Sequence, residues 1–155
     1  MTQRVKTFEA ESTHGRFRLA DQLGHPVVLY FYPKDNTPGC TTEGAQFRDL
    51  YPKFLKHGAV VAGVSSDSLK SHGAFSEKMD FPFPLISDDD EALCKQFDVI
   101  RMKNMYGKQV RGIERSTFVI GRDGKVTYRW DNTDPPSLPE VSPVLDAVRA
   151  LHDAS

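Results

Sequence analysis

"PVVLYFYPKDNTPGCTTEGAQFRDLYPKFLKHGAVVAGVSS", residues 26–66, decides the architecture of this chain. After Pro26, the run Val27 to Tyr32 is short, apolar and rich in β-branched and aromatic residues, the composition of a strand covered on both faces. Asn36-Thr37-Pro38-Gly39 breaks the run. From Cys40 to Lys56 the apolar residues Phe47, Leu50, Tyr51, Phe54 and Leu55 recur at spacings of three and four, which marks a helix. Pro52 inside it bends the helix or removes one hydrogen bond, and Gly58 is a plausible stop. "AVVAGVSS", residues 59–66, reads as a second buried strand. Strand, helix and strand in this order are the beginning of an α/β protein.

Upstream, Phe8 to Arg18, with His14-Gly15 in the middle, reads as a hairpin. Downstream, Ser68 to Met79 reads as a helix and Phe83 to Ile86 as a short strand. Asp88 to Phe97 opens with three aspartates suited to a helix N-terminus, and Ala92, Leu93 and Phe97 supply an apolar stripe. Residues 98–113 read as a long loop carrying Arg101, Lys103, Lys108 and Arg111. "STFVIGRDGKVTYRW", residues 116–130, is a strand, a turn at Arg122-Asp123-Gly124 and a second strand. A Pro-rich loop, 134–139, leads to a helix from Glu140 to His152 with Val141, Val144, Leu145, Val148 and Leu151 on one face. The expected fold is therefore α/β and thioredoxin-like: a central mixed β-sheet flanked by helices, with an N-terminal hairpin.

The 155 residues, with no internal repeat or dividing linker, are expected to form a single domain, 1–155. A composition that is 39% hydrophobic and 26% charged argues against wholesale disorder. A formal net charge of −1 argues against a nucleic-acid partner that needs a basic surface. The first residues hold no apolar stretch of signal-peptide length, and no run is long enough to span a bilayer. The expectation is a cytoplasmic protein with no membrane partner. The two cysteines stand 54 positions apart and neither belongs to a Cys-x-x-Cys pair, so neither a disulfide scaffold nor a zinc site is expected. His14, His25, His57, His72 and His152 show no ligand spacing and read as surface or capping residues, so no metal or cofactor is expected. Without a long apolar patch or heptad run, a monomer is expected.

Chemistry concentrates at Cys40. It stands at a helix start, where free N–H groups and the helix dipole favour an anion, and the thiolate is the reactive form of cysteine. Pro38 has no N–H, but Gly39 and Cys40 do, and Gly39 lets a small substrate approach the backbone. Thr37 adds a hydroxyl that both accepts and donates. An inert core cysteine is the commoner fate of this residue type; the position after a Pro-Gly turn favours the reactive alternative.

"PKDNTPGCTTE", residues 33–43, is similar to the Pro-x-x-x-Thr-x-x-Cys active-site signature of the peroxiredoxins. Together with "MYGKQVRGIERSTFVIGRDGKV", residues 105–126, it resembles the bacterioferritin comigratory protein subgroup, also called peroxiredoxin Q, over nearly the whole chain. The resemblance implies a thiol-dependent peroxidase acting on hydrogen peroxide and organic hydroperoxides. Cys40 would be the peroxidatic nucleophile that becomes a sulfenic acid. Pro33 would shield the site from bulk water and Thr37 would position the peroxide. The N–H groups of Gly39 and Cys40 would hold its oxygens as charge develops. Arg115, on a later strand, would contact thiolate and peroxide together through its rigid fork, and Glu43 would orient it. On the residues alone, Arg115 reads equally as a surface strand charge and Glu43 as a helix-start carboxylate.

The chain departs from that pattern where a resolving cysteine belongs. Five residues after Cys40 stands Ala45, and about 35 residues on stand Phe75 and Ser76. Cys94 reads as a small hydrophobe on a buried helix face; as a resolving thiol it would require a large rearrangement. The expected scheme uses one cysteine and an external thiol reductant: thioredoxin, glutaredoxin or glutathione. The alternative is a redox sensor or holdase that oxidises once and changes partner. Gln46 stands where a cysteine phosphatase needs arginine, and Thr37 replaces the first cysteine of a disulfide exchanger. The basic residues of 101–112 would attract an anionic reductant, Met102 and Met105 would pack over the pocket or anchor the loop, and Arg48 is the reserve cation for Arg115.

Overall fold

Side chains alternate along the apolar run after Pro26, and that alternation builds two cores. Val28, Tyr30 and Tyr32 enter one buried cluster and Val27, Leu29 and Phe31 the other, all six no more than 1% exposed. The computed structural model describes residues 4–105, 107–131 and 141–153. Its first half runs β1 (Glu9–Ser12), β2 (Gly15–Arg18), α1 (Leu19–Gln22), β3 (Val27–Phe31), α2 (Pro38–Lys56), β4 (Val60–Ser65) and α3 (Leu69–Met79). Its second half runs β5 (Leu85–Ser87), α4 (Ala92–Gln96), β6 (Ile100–Met105), β7 (Lys108–Ile113), β8 (Ser116–Ile120), β9 (Val126–Asp131) and α5 (Ser142–Asp153).

Seven strands form one sheet in the order β2-β1-β5-β4-β3-β8-β9. The central strands β3, β4 and β5 are parallel, while β1 and β8 join antiparallel, so the sheet is mixed as expected. One face packs Val28, Tyr30, Val61 and Val119 against Phe47 and Phe54 of α2, Phe75 of α3 and Val144, Leu145 and Val148 of α5. The other packs Leu29, Phe31, Val64 and Phe118 against Leu93 and Cys94 of α4 and Ile113 of β7. This is the thioredoxin-like sandwich, with the N-terminal hairpin β1–β2 at one edge. Three turns follow backbone rules: Gly58, Gly107 and Gly124 take φ values of +72°, +78° and +84°, which a side chain would resist.

Residues 98–113 are not a loop. β6 and β7 form an antiparallel ribbon in register from Ile100–Ile113 to Met105–Lys108. Its two arginines are already matched to anions. Arg101 pairs with Asp98 and Glu114 at 3.2 and 3.1 Å, and Arg111 with Glu91 at 2.7 Å. Those two arginines are therefore not free to attract the anion that the sequence suggested; Lys108 is exposed, and the side chain of Lys103 lies outside the described residues. The short α1 was also not foreseen, and α4 starts later than its aspartates. Asp88 reaches forward to accept the N–H groups of Leu93 and Cys94 at 3.0 and 2.8 Å. The Pro-rich stretch 134–139 lies outside the described residues.

Candidate active site

Thr37 is extended, at φ −91° and ψ 154°, and Pro38 presets the first helical φ, so α2 begins immediately after the turn. Thr41 N–H bonds Thr37 O at 2.8 Å. Gly39 and Cys40 lie before that bond, in the turn whose N–H groups have no helix carbonyl to meet. Thr37 Oγ1 donates to Lys34 O at 2.9 Å, which leaves the oxygen its capacity to accept. Glu43 follows Cys40 by three positions and so shares its helix face.

Sheet register supplies the cation. β8 lies antiparallel to β3 with Ser116 opposite Phe31, which brings the preceding residue to the end of β3 where the turn departs. That residue is Arg115, seated in the link between β7 and β8 rather than on a strand as expected. Its Nη2 donates to Cys40 Sγ at 3.4 Å and its Nη1 to Glu43 Oε1 at 2.8 Å. One planar fork thus joins the thiol and the carboxylate. Cys40 is 2% exposed, so burial alone would suggest a core residue, and the guanidinium at its sulfur is what sets it apart.

Residues 1–129 match the AhpC/TSA family. The peroxiredoxin Bcp of Xanthomonas campestris is 63% identical over 72% of this chain and 70% of its own length. That of Bacillus subtilis is 46% identical over 99% of this chain and 95% of its own. The chain belongs to the AhpC/TSA family. Its relatives there are the peroxiredoxins Bcp and Q, which are thiol peroxidases. Among solved structures, a cysteine-to-serine mutant of Xylella fastidiosa PrxQ matches with a TM-score of 0.87 at 41% identity, covering 100% of this chain and 99% of that one. The Xanthomonas campestris bacterioferritin comigratory protein matches with a TM-score of 0.80 at 51% identity, covering 95% and 90%.

The two cysteines of this peroxiredoxin occupy opposite faces of the sheet. Cys40 borders the cluster of Tyr30, Phe47 and Phe75, and Cys94 lies in that of Leu93, Phe97 and Val99. Their electrostatics are opposed as well. Cys40 faces a guanidinium, whereas burial and the neighbouring Asp88 carboxylate push the Cys94 thiol up, away from the thiolate form. Phe75, where other relatives would carry a thiol, is 3% exposed and packs edge-on against Phe81 at 5.2 Å.

Glu43 is the strained member of the site. Burial outweighs the pull of Arg115 and pushes its carboxyl from 4.5 up to about 7. Its Oε2 is buried without a hydrogen-bond partner among the described residues. Arg115 is held protonated by Glu43 and Cys40 although burial opposes its charge. Between those two values the folded protein keeps a proton that the unfolded chain releases. The stability contributed by Glu43 is therefore present below 4.5 and lost as the pH rises through about 7. Wild type is expected to lose stability from about pH 5 to about pH 8, on the order of 3 kcal/mol. Urea unfolding of Glu43→Gln should be markedly flatter across that window; equal slopes in both proteins would show that Glu43 is not the titrating group.

Pro33 is exposed and Gly39 partly so. Arg48 donates to Met79 O at 2.9 Å and pairs with Asp49, so it ties α2 to the end of α3 and does not serve the thiol. Met102 is 59% exposed and does not cover the site; the side chain of Met105 lies outside the described residues. His14 and His25 are exposed, as expected. His72 is not: it is fully buried, three positions before Phe75 on the inward stripe of α3.

Proposed function

We propose that this protein reduces hydrogen peroxide and organic hydroperoxides with Cys40 as its only redox-active cysteine, and that an outside thiol restores it. The thiolate attacks one peroxide oxygen, an S–O bond forms as the O–O bond breaks, and the departing oxygen takes a proton to leave as water or alcohol. Cys40 remains as a sulfenic acid. A thiol from thioredoxin, glutaredoxin or glutathione then attacks its sulfur, releasing water and forming a mixed disulfide. A second thiol displaces Cys40 and carries away the disulfide.

The single observation that carries this reading is the Arg115 fork spanning Cys40 Sγ and Glu43 Oε1. It sets a fixed positive charge and a donor beside the attacking sulfur and offers a donor to the oxygen on which charge develops. Gly39 and Cys40 N–H groups take the same oxygen from the helix side. Thr37 Oγ1, having given its proton to Lys34 O, accepts the O–H of the peroxide. Pro33 is assigned the screening of the thiol from bulk water. Activity on organic hydroperoxides is supported by the likeness to the Xanthomonas campestris protein, whose structures concern alkyl peroxide reduction. The one-cysteine scheme is supported by Cys94 lying across the sheet beside a carboxylate. A monomer acting in the cytoplasm completes the proposal.

The test is peroxide consumption with each reductant supplied separately, on wild type and Cys94→Ser. Both proteins should turn over alike with an external thiol. After one equivalent of peroxide, mass spectrometry should find one added oxygen on Cys40 and no internal disulfide. Excess peroxide should drive the same sulfur irreversibly to sulfinic and sulfonic acids. Rapid formation of a Cys40–Cys94 bridge, with turnover lost in Cys94→Ser, would overturn the one-cysteine scheme. A single oxidation without turnover under any reductant would instead favour the sensor or holdase.

A further inference from the structure

A buried polar network stands behind the catalytic turn, and the chemistry at Cys40 does not yet use it. Asp35, 6% exposed, sits two residues before Thr37. Its carboxylate accepts from Tyr32 Oη at 2.6 Å, from Ser71 Oγ at 2.8 Å and from His72 Nδ1 at 2.7 Å. The opposite ring nitrogen of His72, Nε2, lies 2.9 Å from Ile86 O, which only accepts, so Nε2 donates there. The backbone N–H of Asp35 donates to Asp67 Oδ2 at 2.8 Å, and Ser65 Oγ donates to the same oxygen at 2.6 Å. The carboxyl of Asp35 is held below the usual range: burial opposes this, but the bonds from His72 and Tyr32 prevail. Ligating atoms of Asp35, Asp67 and His72 fall within 4.8 Å of one another, but these hydrogen bonds already engage them, so the group reads as a brace and not as a metal site.

We propose that Asp35 and His72 are a positioning pair for the peroxide reaction: their buried contact fixes the turn 33–39 against α3 and β5, and thereby sets where Thr37 Oγ1 and the Gly39 and Cys40 N–H groups meet the peroxide. The inference rests on the peroxidase reading. Surface turns are ordinarily mobile, whereas a satisfied buried network is rigid. Misplacing a catalytic group by about 1 Å costs roughly 100-fold in rate. Asn36, the next residue, adopts φ +65° and accepts from Lys78 Nζ at 2.9 Å, a second tie from the turn to α3.

Two substitutions of one residue separate positioning from packing. The amide nitrogen of asparagine reaches the place of Nδ1, and that of glutamine the place of Nε2. His72→Asn therefore keeps the donor to Asp35, while His72→Gln keeps only the donor to Ile86 O. Oxidation of Cys40 by hydrogen peroxide in single turnover should fall at least tenfold in His72→Gln and stay within about threefold of wild type in His72→Asn. Alkylation of Cys40 by iodoacetamide, which needs neither Thr37 nor the amides, should stay within about threefold in both. Equal losses in the two variants, no loss in either, or alkylation falling in step with oxidation would each overturn the pair's role. Should His72→Gln not fold, Ser71→Ala removes one donor to the same carboxylate, and an unchanged oxidation rate there would overturn it. Absence of peroxide oxidation in wild type would strike the peroxidase reading itself, which the variant ratios do not test.

Discussion

Arg115→Lys is expected to slow the reaction of Cys40 with peroxide by roughly 100- to 1000-fold, the loss of about 2.7–4 kcal/mol that follows removal of a transition-state donor. Charge is conserved in this variant; geometry is not. Arg115 reaches Glu43 Oε1 through Nη1 and Cys40 Sγ through Nη2 at once, at 2.8 and 3.4 Å. A lysine ammonium is a point charge on a flexible stem and cannot hold both contacts in one plane. Buried Glu43 would draw it away from the sulfur, because that carboxylate has no other hydrogen-bond partner for Oε1 or Oε2 among the described residues. Stopped-flow oxidation at fixed pH measures the effect, with circular dichroism confirming the fold. A near-normal rate would mean that another cation serves the thiol. Arg48 is an unpromising substitute, since it is committed to Met79 O.

Phe47→Ala is expected to destabilise the protein by about 3–5 kcal/mol, a large share of the roughly 5–15 kcal/mol that holds a domain folded. Phe47 is fully buried, stacks on Tyr30 with ring centroids 4.4 Å apart and lies 6.0 Å from Phe54. It is the anchor of α2 on the sheet, one turn beyond Glu43. At about 2–4 °C per kcal/mol for a chain of this size, the midpoint of thermal unfolding should fall by roughly 6–20 °C. The same loosening should raise the alkylation rate of Cys40, because the first turn of α2 loses its support downstream. Urea unfolding measures the stability; a loss below about 1 kcal/mol would mean that Tyr30 and Phe54 collapse into the space.

The strands and helices around residues 26–66 were legible because their signals are local. An apolar run between turn residues, followed by apolar positions at helical spacing, has few other solutions, and β3, α2 and β4 fall where the pattern puts them. The hairpin β8–β9 is equally local, its turn written in Arg122-Asp123-Gly124. Cys40 was found for the same reason, since a helix start after Pro-Gly is a feature of consecutive residues, and Arg115 and Glu43 were found through the family motif. The ribbon β6–β7 was not legible. Its register places Arg101, Lys103, Lys108 and Arg111 on strands whose pairing partner is each other, and the alternation of Ile100 and Met102 with Arg101 and Lys103 is too short to tell a strand from a loop. Nor was His72, a polar residue whose burial depends on Asp35, 37 positions away, being carried to the same place by the path of the chain. Sequence order likewise says nothing of which face of a sheet a helix covers. That Cys94 lies beside Asp88 across the sheet, while Cys40 lies beside Arg115, was decided by the packing of α2 and α4 on opposite sides of β3, and with it the electrostatic difference between the two thiols. Charge acts over a few ångströms in space, and only the folded chain brings residues 40, 43 and 115 within that reach.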